Sequence, residues 1–425
     1  MIRFEPPAGP VLGRRDGAVV RVRGVPYAHA ARFGLPRPPT RFTEPFPALE
    51  AGPAARQERS ATLTALVGEV TGGTVGEDCQ RLTITLPADV RPEERLPVLV
   101  WIHGGSYETG AGDAPVYDPQ ALVEEQRLVV VTVGYRLGLL GYLGMDGVAP
   151  ANLGLVDQLA ALRWVHTNIA AFGGDPAAVT VAGQSAGGDA VAHLMISDGA
   201  RGLFRRAIVQ SAPLATTSGR SRMGDAMARA VGTPPPSASV EDLLALHRVA
   251  AKAAKPFGLA GGMPFGVRYG RPPLPPQRQR AAAWRACAPE IDLLIGATAA
   301  EAGLLLGSAP GPVGRALVAG ATRLIYGGPA RAFARRHRRA GGRAVHYTMT
   351  WAPRGSRYGA AHIVDLPLLF GARAGWAGAA LLGDTPWAEV DELGRRFRAV
   401  WGAFVRTGEV PAPVADAARD VLTLS

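Results

Sequence analysis

The sequence predicts an α/β protein built on a mostly parallel, doubly wound sheet with helices on both faces. Three observations carry this reading. Unbroken apolar runs of strand length recur along the chain, notably Leu96–His103, Leu128–Tyr135 and Val179–Ala182, and such runs suit strands buried on both faces. Helical spacing alternates with them. One of the runs stops at a glycine and passes directly into a helical pattern.

Taken in order, Val19–Val22 and Gly24–Tyr27 form a short strand region, and Arg32–Pro47 is proline-rich and irregular. Arg81–Leu86 alternates as a strand does. Leu96–His103 and Leu128–Tyr135 follow as buried strands. Asn152–Phe172 carries helical spacing through Leu155, Leu159, Leu162, Val165 and Ile169. Val179–Ala182 is the next strand, followed by a helix over about 186–197. Arg206–Gln210, Ile291–Ile295 and Ala344–Thr350 read as further strands, and Trp387–Thr407 as a terminal helix with Leu393, Phe397, Val400, Trp401 and Phe404 on one face. Pro-rich breaks at Pro234–Ser239 and Gly270–Pro276 flank a helix-like Val240–Ala254, so about 215–290 reads as a cap or insertion in a single domain spanning 1–425. There are no internal repeats.

Composition narrows the class. The chain has 425 residues, 47% of them hydrophobic, enough for a large core. The N-terminal residues lack the apolar segment of a secretory signal, and no stretch approaches the roughly 18–20 apolar residues of a membrane span. The two cysteines, Cys79 and Cys287, allow at most one disulfide, and free thiols in a cytoplasmic protein are the expectation. The net charge of +11 raises nucleic acid or an anionic surface as partners. Arginine dominates along the whole chain, however, and its densest cluster (Arg331, Arg335, Arg336, Arg338, Arg339 and Arg343) reads as the solvated face and end of one helix. It has no aromatic interleaving, so no nucleic-acid partner is expected.

The strand-to-helix turn is Gly183-x-Ser185-x-Gly187, the spacing of a nucleophile elbow. A sharp turn strains the middle residue and requires near-absent side chains two positions away. In return a hydroxyl projects at the carboxyl end of the sheet, over a helix N-terminus that favours negative charge. Among 54 glycines the motif alone is equally well a glycine-rich turn. A serine nucleophile also needs a base, an orienting acid and oxyanion donors. Trp101-Ile-His-Gly-Gly-Ser-Tyr107, directly after a buried strand, is a loop of the type that turns backbone amides toward an oxyanion. His103 reads as a packing residue that holds this loop.

Asn152-x-Gly-Leu-x-Asp-Gln-x-x-Ala-Leu-x-Trp-Val-x-x-Asn-Ile-x-x-Phe-Gly-Gly-Asp-Pro176 runs straight into Val-Thr-Val-Ala-Gly-Gln-Ser-Ala-Gly-Gly188. This resembles the type-B carboxylesterase family, the cholinesterase-like branch of the α/β-hydrolase fold. Arg23-Gly-Val-Pro-Tyr-Ala28, Glu77-Asp-Cys-Gln-Arg-Leu82, Tyr135-Arg-Leu-Gly138 and Gly202-Leu-Phe-x-x-Ala-Ile-x-Gln-Ser211 are similar to other motifs of that family. The similarity covers about residues 16–411. It implies Ser185 as nucleophile, Glu301 as the acid that orients the base, and His362, in Gly359-Ala-Ala-His362, as the base. It also implies the backbone amides of Gly105, Ser106 and Ala186 as oxyanion donors. The chain order Ser185, Glu301, His362 is that of an α/β-hydrolase.

The residues themselves leave few alternatives. His166, His193 and His247 fall in helical stretches, His337 in the arginine cluster and His346 in a strand. Among acids, Asp292 precedes its strand and lies at the wrong end, whereas Glu301 follows the carboxyl end. Asp365 and Asp189 are runners-up, Asp189 being more simply a partner of the helix dipole. Glu77, Arg136 and Asp175 read as members of structural ion pairs. The chain departs from the family pattern at Ser106, where glycine is frequent, and at Gln184, where many relatives carry glutamate. The tryptophan of the cholinesterase cation site is missing before Glu77, which argues against cholinesterase activity. So is the upstream half of the family's first disulfide. The Glu301–His362 spacer of 61 positions is short for the family, so helices bordering the pocket should be trimmed.

The expected function is hydrolysis of a small-molecule carboxylic ester through an acyl-enzyme, with no cofactor or metal, by a monomer or homodimer. The alternatives are acyl transfer or amide cleavage on the same fold, or a non-catalytic binding protein. Specificity should lie in 215–290 and 302–345.

Overall fold

A computed structural model describes residues 1–91, 93–217, 219–235, 237–306 and 311–425. Ser218 and Pro236, within the expected cap, and residues 307–310, within the expected trimmed segment, lie outside the described residues.

The main sheet has eleven strands along its path: β1 (Ile2–Phe4), β2 (Val11–Asp16), β3 (Val19–Pro26), β4 (Arg81–Pro87), β5 (Leu96–Ile102), β6 (Val129–Val133), β7 (Gly174–Gln184), β8 (Arg206–Gln210), β9 (Asp292–Thr298), β10 (Ala344–Met349) and β11 (Leu422–Leu424). Their spatial order is β1-β2-β3-β4-β6-β5-β7-β8-β9-β10-β11. From β6 to β10 every neighbouring pair is parallel. This is the α/β-hydrolase fold, with helices packed on a mostly parallel sheet.

Burial on both faces follows from the alternation along each strand. On β5, Val98, Val100 and Ile102 enter one core, together with Leu155, Leu159 and Leu162 of helix α1 (Leu153–Asn168) and Val191 and Leu194 of helix α2 (Ala186–Leu194). Leu99 and Trp101 enter the other core, with Phe397, Trp401 and Phe404 of the helix Trp387–Thr407. Every residue of β6 is buried.

The flanks depart from the sequence expectation. β1, β2, β3 and β4 pair antiparallel, as do β4 with β6 and β10 with β11. β1, β2 and β11 are strands that the apolar pattern did not announce. Arg14, Arg15 and Asp16 of β2 are solvent-exposed, so this strand lacks the periodic apolar face that marks a core strand. The expected helix over 186–197 ends at Leu194. Within 215–290, helix α3 (Arg220–Val231) precedes helix α4 (Val240–Ala254), which opens on a Ser239–Asp242 capping box. Helix α5 (Gly328–Arg339) carries the arginine cluster, with Arg343 beyond its end. Cys79 and Cys287 are both free thiols. No helix among the described residues is long and apolar enough to cross a membrane.

Candidate active site

Four separated stretches converge at the carboxyl ends of the parallel strands. β7 delivers Ser185, which has φ 59° and ψ −124°, a region costly for a residue with a Cβ. The surrounding register holds it there. Gly183 pairs with Ile102 of β5, Gln184 with Gln210 of β8, and the Ser185 amide donates to the Gln210 carbonyl at 2.9 Å. The flanking glycines are required by space. A Cβ on Gly187 would stand 2.0 Å from the Ile102 carbonyl oxygen, and one on Gly183 would stand 2.5 Å from the Gly187 backbone.

The Gly104–Tyr107 loop follows β5 and faces the start of α2. Gly105 has φ 106°, and a Cβ there would meet the Thr109 carbonyl oxygen at 2.1 Å. Ser106 and Tyr107 also have positive φ, so Ser106 takes up a conformation in which glycine is more relaxed. Among the described residues, the amides of Gly105, Ser106 and Ala186 donate to no backbone carbonyl. They are therefore available to an anion, and Ala186 is also the first residue of α2. His103 sits below the loop. It is buried, stacks on Tyr135 at 4.4 Å, and burial pushes its pKa down to about 4. Its neutral ring packs and supports the loop, as the sequence reading expects. Gln57 clamps the far end of the loop, donating to the Gly110 carbonyl (2.9 Å) and accepting from the Gly110 amide (2.7 Å). Nothing in the sequence around Gln57 announces that role.

β9 leads into Glu301, which is fully buried. Its Oε1 accepts from the Thr298 amide at 2.7 Å, and its Oε2 lies 2.5 Å from His362 Nδ1. With its Nδ1 proton directed at the carboxylate, His362 turns the lone pair of Nε2 toward the cavity. That nitrogen lies 3.2 Å from the side-chain nitrogen of Gln184. The Tyr326 ring stands 5.3 Å from the imidazole. It belongs to a π-helical turn, Arg323–Gly327, which the sequence reading missed because a one-residue insertion leaves no periodic signature.

The other candidates lie elsewhere. Asp365 is buried near the histidine but accepts from Gln210 at 2.7 Å, and burial pushes its pKa up to about 6. Asp189 accepts from the Tyr107 hydroxyl at 2.8 Å and does not reach the base. Asp292 sits at the amino end of β9, paired with Arg343. His166 is exposed, and His193 is buried against Tyr269. His337 meets the Ile291 carbonyl at 2.8 Å. Glu77 pairs with Arg32, and Arg136 pairs with Asp157. Asp175 is corrected: it caps the Ala177 amide at 2.9 Å, and no cation pairs with it among the described residues. It lies where β7 shifts register against β5, between Gly174 and Val179, and its carboxylate takes the local backbone bond.

Ser185, Gln184, His362, Gly104, Gly105 and Ser106 line one cavity of about 680 Å³. Leu63, Val67, Val116 and Trp376 form one apolar wall, and Leu259, Met263, Ile325 and Tyr326 form another. A Glu108–His247 pair (3.0 Å) adds a polar edge. Among the described residues, no group of His, Cys, Asp and Glu is arranged to hold a metal ion. The cavity presents a hydroxyl, an imidazole and backbone amides to whatever enters it.

The model of the carboxylesterase family matches residues 3–314. Over 433 aligned residues, spanning 96% of this chain and 93% of the other, the sequence is 36% identical to a probable N-octanoylanthranilate hydrolase of Rhodococcus erythropolis. It is 40% identical to the para-nitrobenzyl esterase of Bacillus subtilis over 48% of this chain and 42% of that enzyme. Among solved structures, a thermophilic pNB esterase superposes with a TM-score of 0.80 at 29% identity, over 96% of this chain and 91% of that one. A carboxylesterase of Geobacillus stearothermophilus gives 0.78 at 27% identity, over 97% and 92%.

Proposed function

The chain belongs to the carboxylesterase family, and on that premise we propose that it hydrolyses small-molecule carboxylic esters through a Ser185–His362–Glu301 triad and an acyl-enzyme. The observation that carries this is the 2.5 Å bond from His362 Nδ1 to Glu301, with Ser185 and the far side of the same imidazole lining one cavity. His362 Nε2 takes the Ser185 proton as Oγ attacks the ester carbonyl. The tetrahedral oxyanion sits among the amides of Gly105, Ser106 and Ala186, where fixed donors meet the developing charge without reorganising. His362 then protonates the leaving alcohol. Water, deprotonated by the same nitrogen, attacks the acyl carbonyl and releases the acid and Ser185. Glu301 holds the imidazole in the productive tautomer and balances its transient charge. We place the whole chain in one catalytic domain, with 215–290 as a cap whose His247, Leu259 and Met263 reach the cavity wall.

Amide cleavage is a second reading, favoured by the relative named for an N-acyl substrate, which matches over nearly the full length of both chains. It uses the same steps, with an amine as leaving group. The test is a panel of aryl esters of graded acyl length beside N-acyl anthranilates, assayed on wild type and Ser185→Ala. Esterase activity that disappears in Ser185→Ala supports the assignment. Full activity in that variant refutes it, and inactivity of the wild type on every substrate favours a binding protein.

A further inference from the structure

Helix α5 and the helix Arg280–Cys287 enclose a groove of about 200 Å³ on the outside of the molecule, apart from the proposed catalytic cavity. Its floor is aromatic. Trp284 and Phe333 meet edge to face at 5.0 Å, and Trp284 turns its indole N–H inward to the Ala192 carbonyl at 2.9 Å, so its ring is left to apolar contact. His337 joins the floor with its Nε2 held by the Ile291 carbonyl.

The rim is cationic. Arg285, Arg336 and Arg339 line the groove and no carboxylate does. Among the described residues, none of the three lies within ion-pair distance of an acid, and Arg336 uses only its Nε, on the Ala332 carbonyl. This sets them apart from Arg338 and Arg343 of the arginine cluster. Arg343 is paired with Asp292 and Glu409, and Arg338 is bonded to the carbonyls of Ala344 and Ser425. An apolar slot edged by uncompensated guanidinium groups matches a ligand with an apolar body and one anionic end, because planar guanidinium forks fit carboxylates.

We propose that this groove is a binding site for hydrophobic monocarboxylates, with an alkyl or aryl body on Trp284 and Phe333 and the carboxylate between Arg336 and Arg339. Acids released by ester hydrolysis belong to this chemical class, but the site itself rests only on the groove.

Calorimetric titration of the full chain with octanoate tests this, with sodium sulfate and 1-octanol as separate probes. Octanoate should bind saturably, and sulfate and octanol each roughly tenfold more weakly, since each supplies half of the recognition. Charge reversal in R336E/R339E should weaken octanoate binding by about tenfold or more, with R336Q/R339Q intermediate. Both variants should hydrolyse a neutral aryl ester within about twofold of wild type, which shows that the fold is intact. An octanoate affinity unmoved by charge reversal would place all the bound acid in the catalytic cavity and overturn the proposal. So would sulfate binding as tightly as octanoate.

Discussion

Gln184 and His362 meet through their side chains, the amide nitrogen of one standing 3.2 Å from Nε2 of the other. Because His362 directs its Nδ1 proton at Glu301, Nε2 holds a lone pair, and the Gln184 N–H donates to it. In the proposed mechanism that nitrogen accepts the Ser185 proton, so the residue next to Ser185 occupies the atom the mechanism needs, and this bond would have to be exchanged for one from Ser185. Gln184→Ala removes the competitor, and kcat/KM on an aryl ester should rise roughly two- to tenfold, the worth of one neutral hydrogen bond. Steady-state kinetics settle it: a fall in kcat/KM with an unchanged melting temperature would show that Gln184 assists the reaction.

Both oxygens of Glu301 are engaged, one by the Thr298 amide and one by His362. A glutamine offers only one acceptor oxygen, so Glu301→Gln must leave one of these two donors facing an NH₂ group. The imidazole loses its tautomeric control, and kcat should fall by about 10³-fold or more, with KM little changed. Glu301→Asp, which keeps two acceptors on a shorter stem, should recover part of the loss.

Gly105→Ala places a methyl group where the Thr109 carbonyl already stands 2.1 Å from the Cβ position. The loop must shift, carrying the amides of Gly105 and Ser106 with it. Loss of aligned oxyanion donors should lower kcat by roughly 10²–10³-fold. Circular dichroism should change little, since Gly105 lies outside every helix and strand.

Stability should respond to pH through groups of opposite sign. Asp365 has its folded pKa raised from 3.8 to about 6, so the native state binds more protons than the unfolded chain between those values, and its contribution declines as pH rises across that interval. His103 is lowered from 6.5 to about 4, so the unfolded chain binds more protons there, and its contribution grows as pH rises. Asp365→Asn removes the first effect and leaves the second. Urea unfolding at pH 4.5 and 6 should show a steeper gain of stability with pH in the variant than in wild type. Equal slopes would mean that Asp365 is not buried as an acid.

Arg136 and Asp157 form a buried bidentate pair, and Asp157 also accepts from the Arg136 amide at 3.1 Å. Asp157→Ala leaves a buried guanidinium without its carboxylate. The expected cost is about 3–5 kcal/mol of unfolding free energy, read from denaturant titration.

The central strands were legible because their burial on both faces writes itself into the chain as unbroken apolar runs; Leu96–Ile102 and Val129–Val133 are examples. The helix Trp387–Thr407 was legible to the residue because one apolar face repeats through it. β1 and β11 were not, since an edge strand is defined by its partner's backbone and needs no apolar face of its own. At the candidate site, motif spacing singled out Ser185, Glu301 and His362, and the fold brings Glu301 to His362 as that reading requires. The Gln57 clamp and the Tyr326 turn depend on contacts between distant segments. Gln184 stood out as a departure from the family pattern, but its bond to the imidazole follows only from the closing of the sheet.

Gly187 lies against the carbonyls of Ile102 and His103 with no room for a methyl group. The helix behind Ser185 and the strand that ends in the oxyanion loop are thus one mechanical joint. A change at that joint displaces Ser185 and the loop proposed to cradle the anion together, so under the proposed mechanism chemistry and alignment cannot drift apart by small mutational steps. The cavity walls are drawn from separate stretches, 58–70, 247–263 and 325–326, that lie outside this joint. Divergence, natural or directed, has an open path there: the reaction is inherited as a block, and substrate choice is free to wander around it.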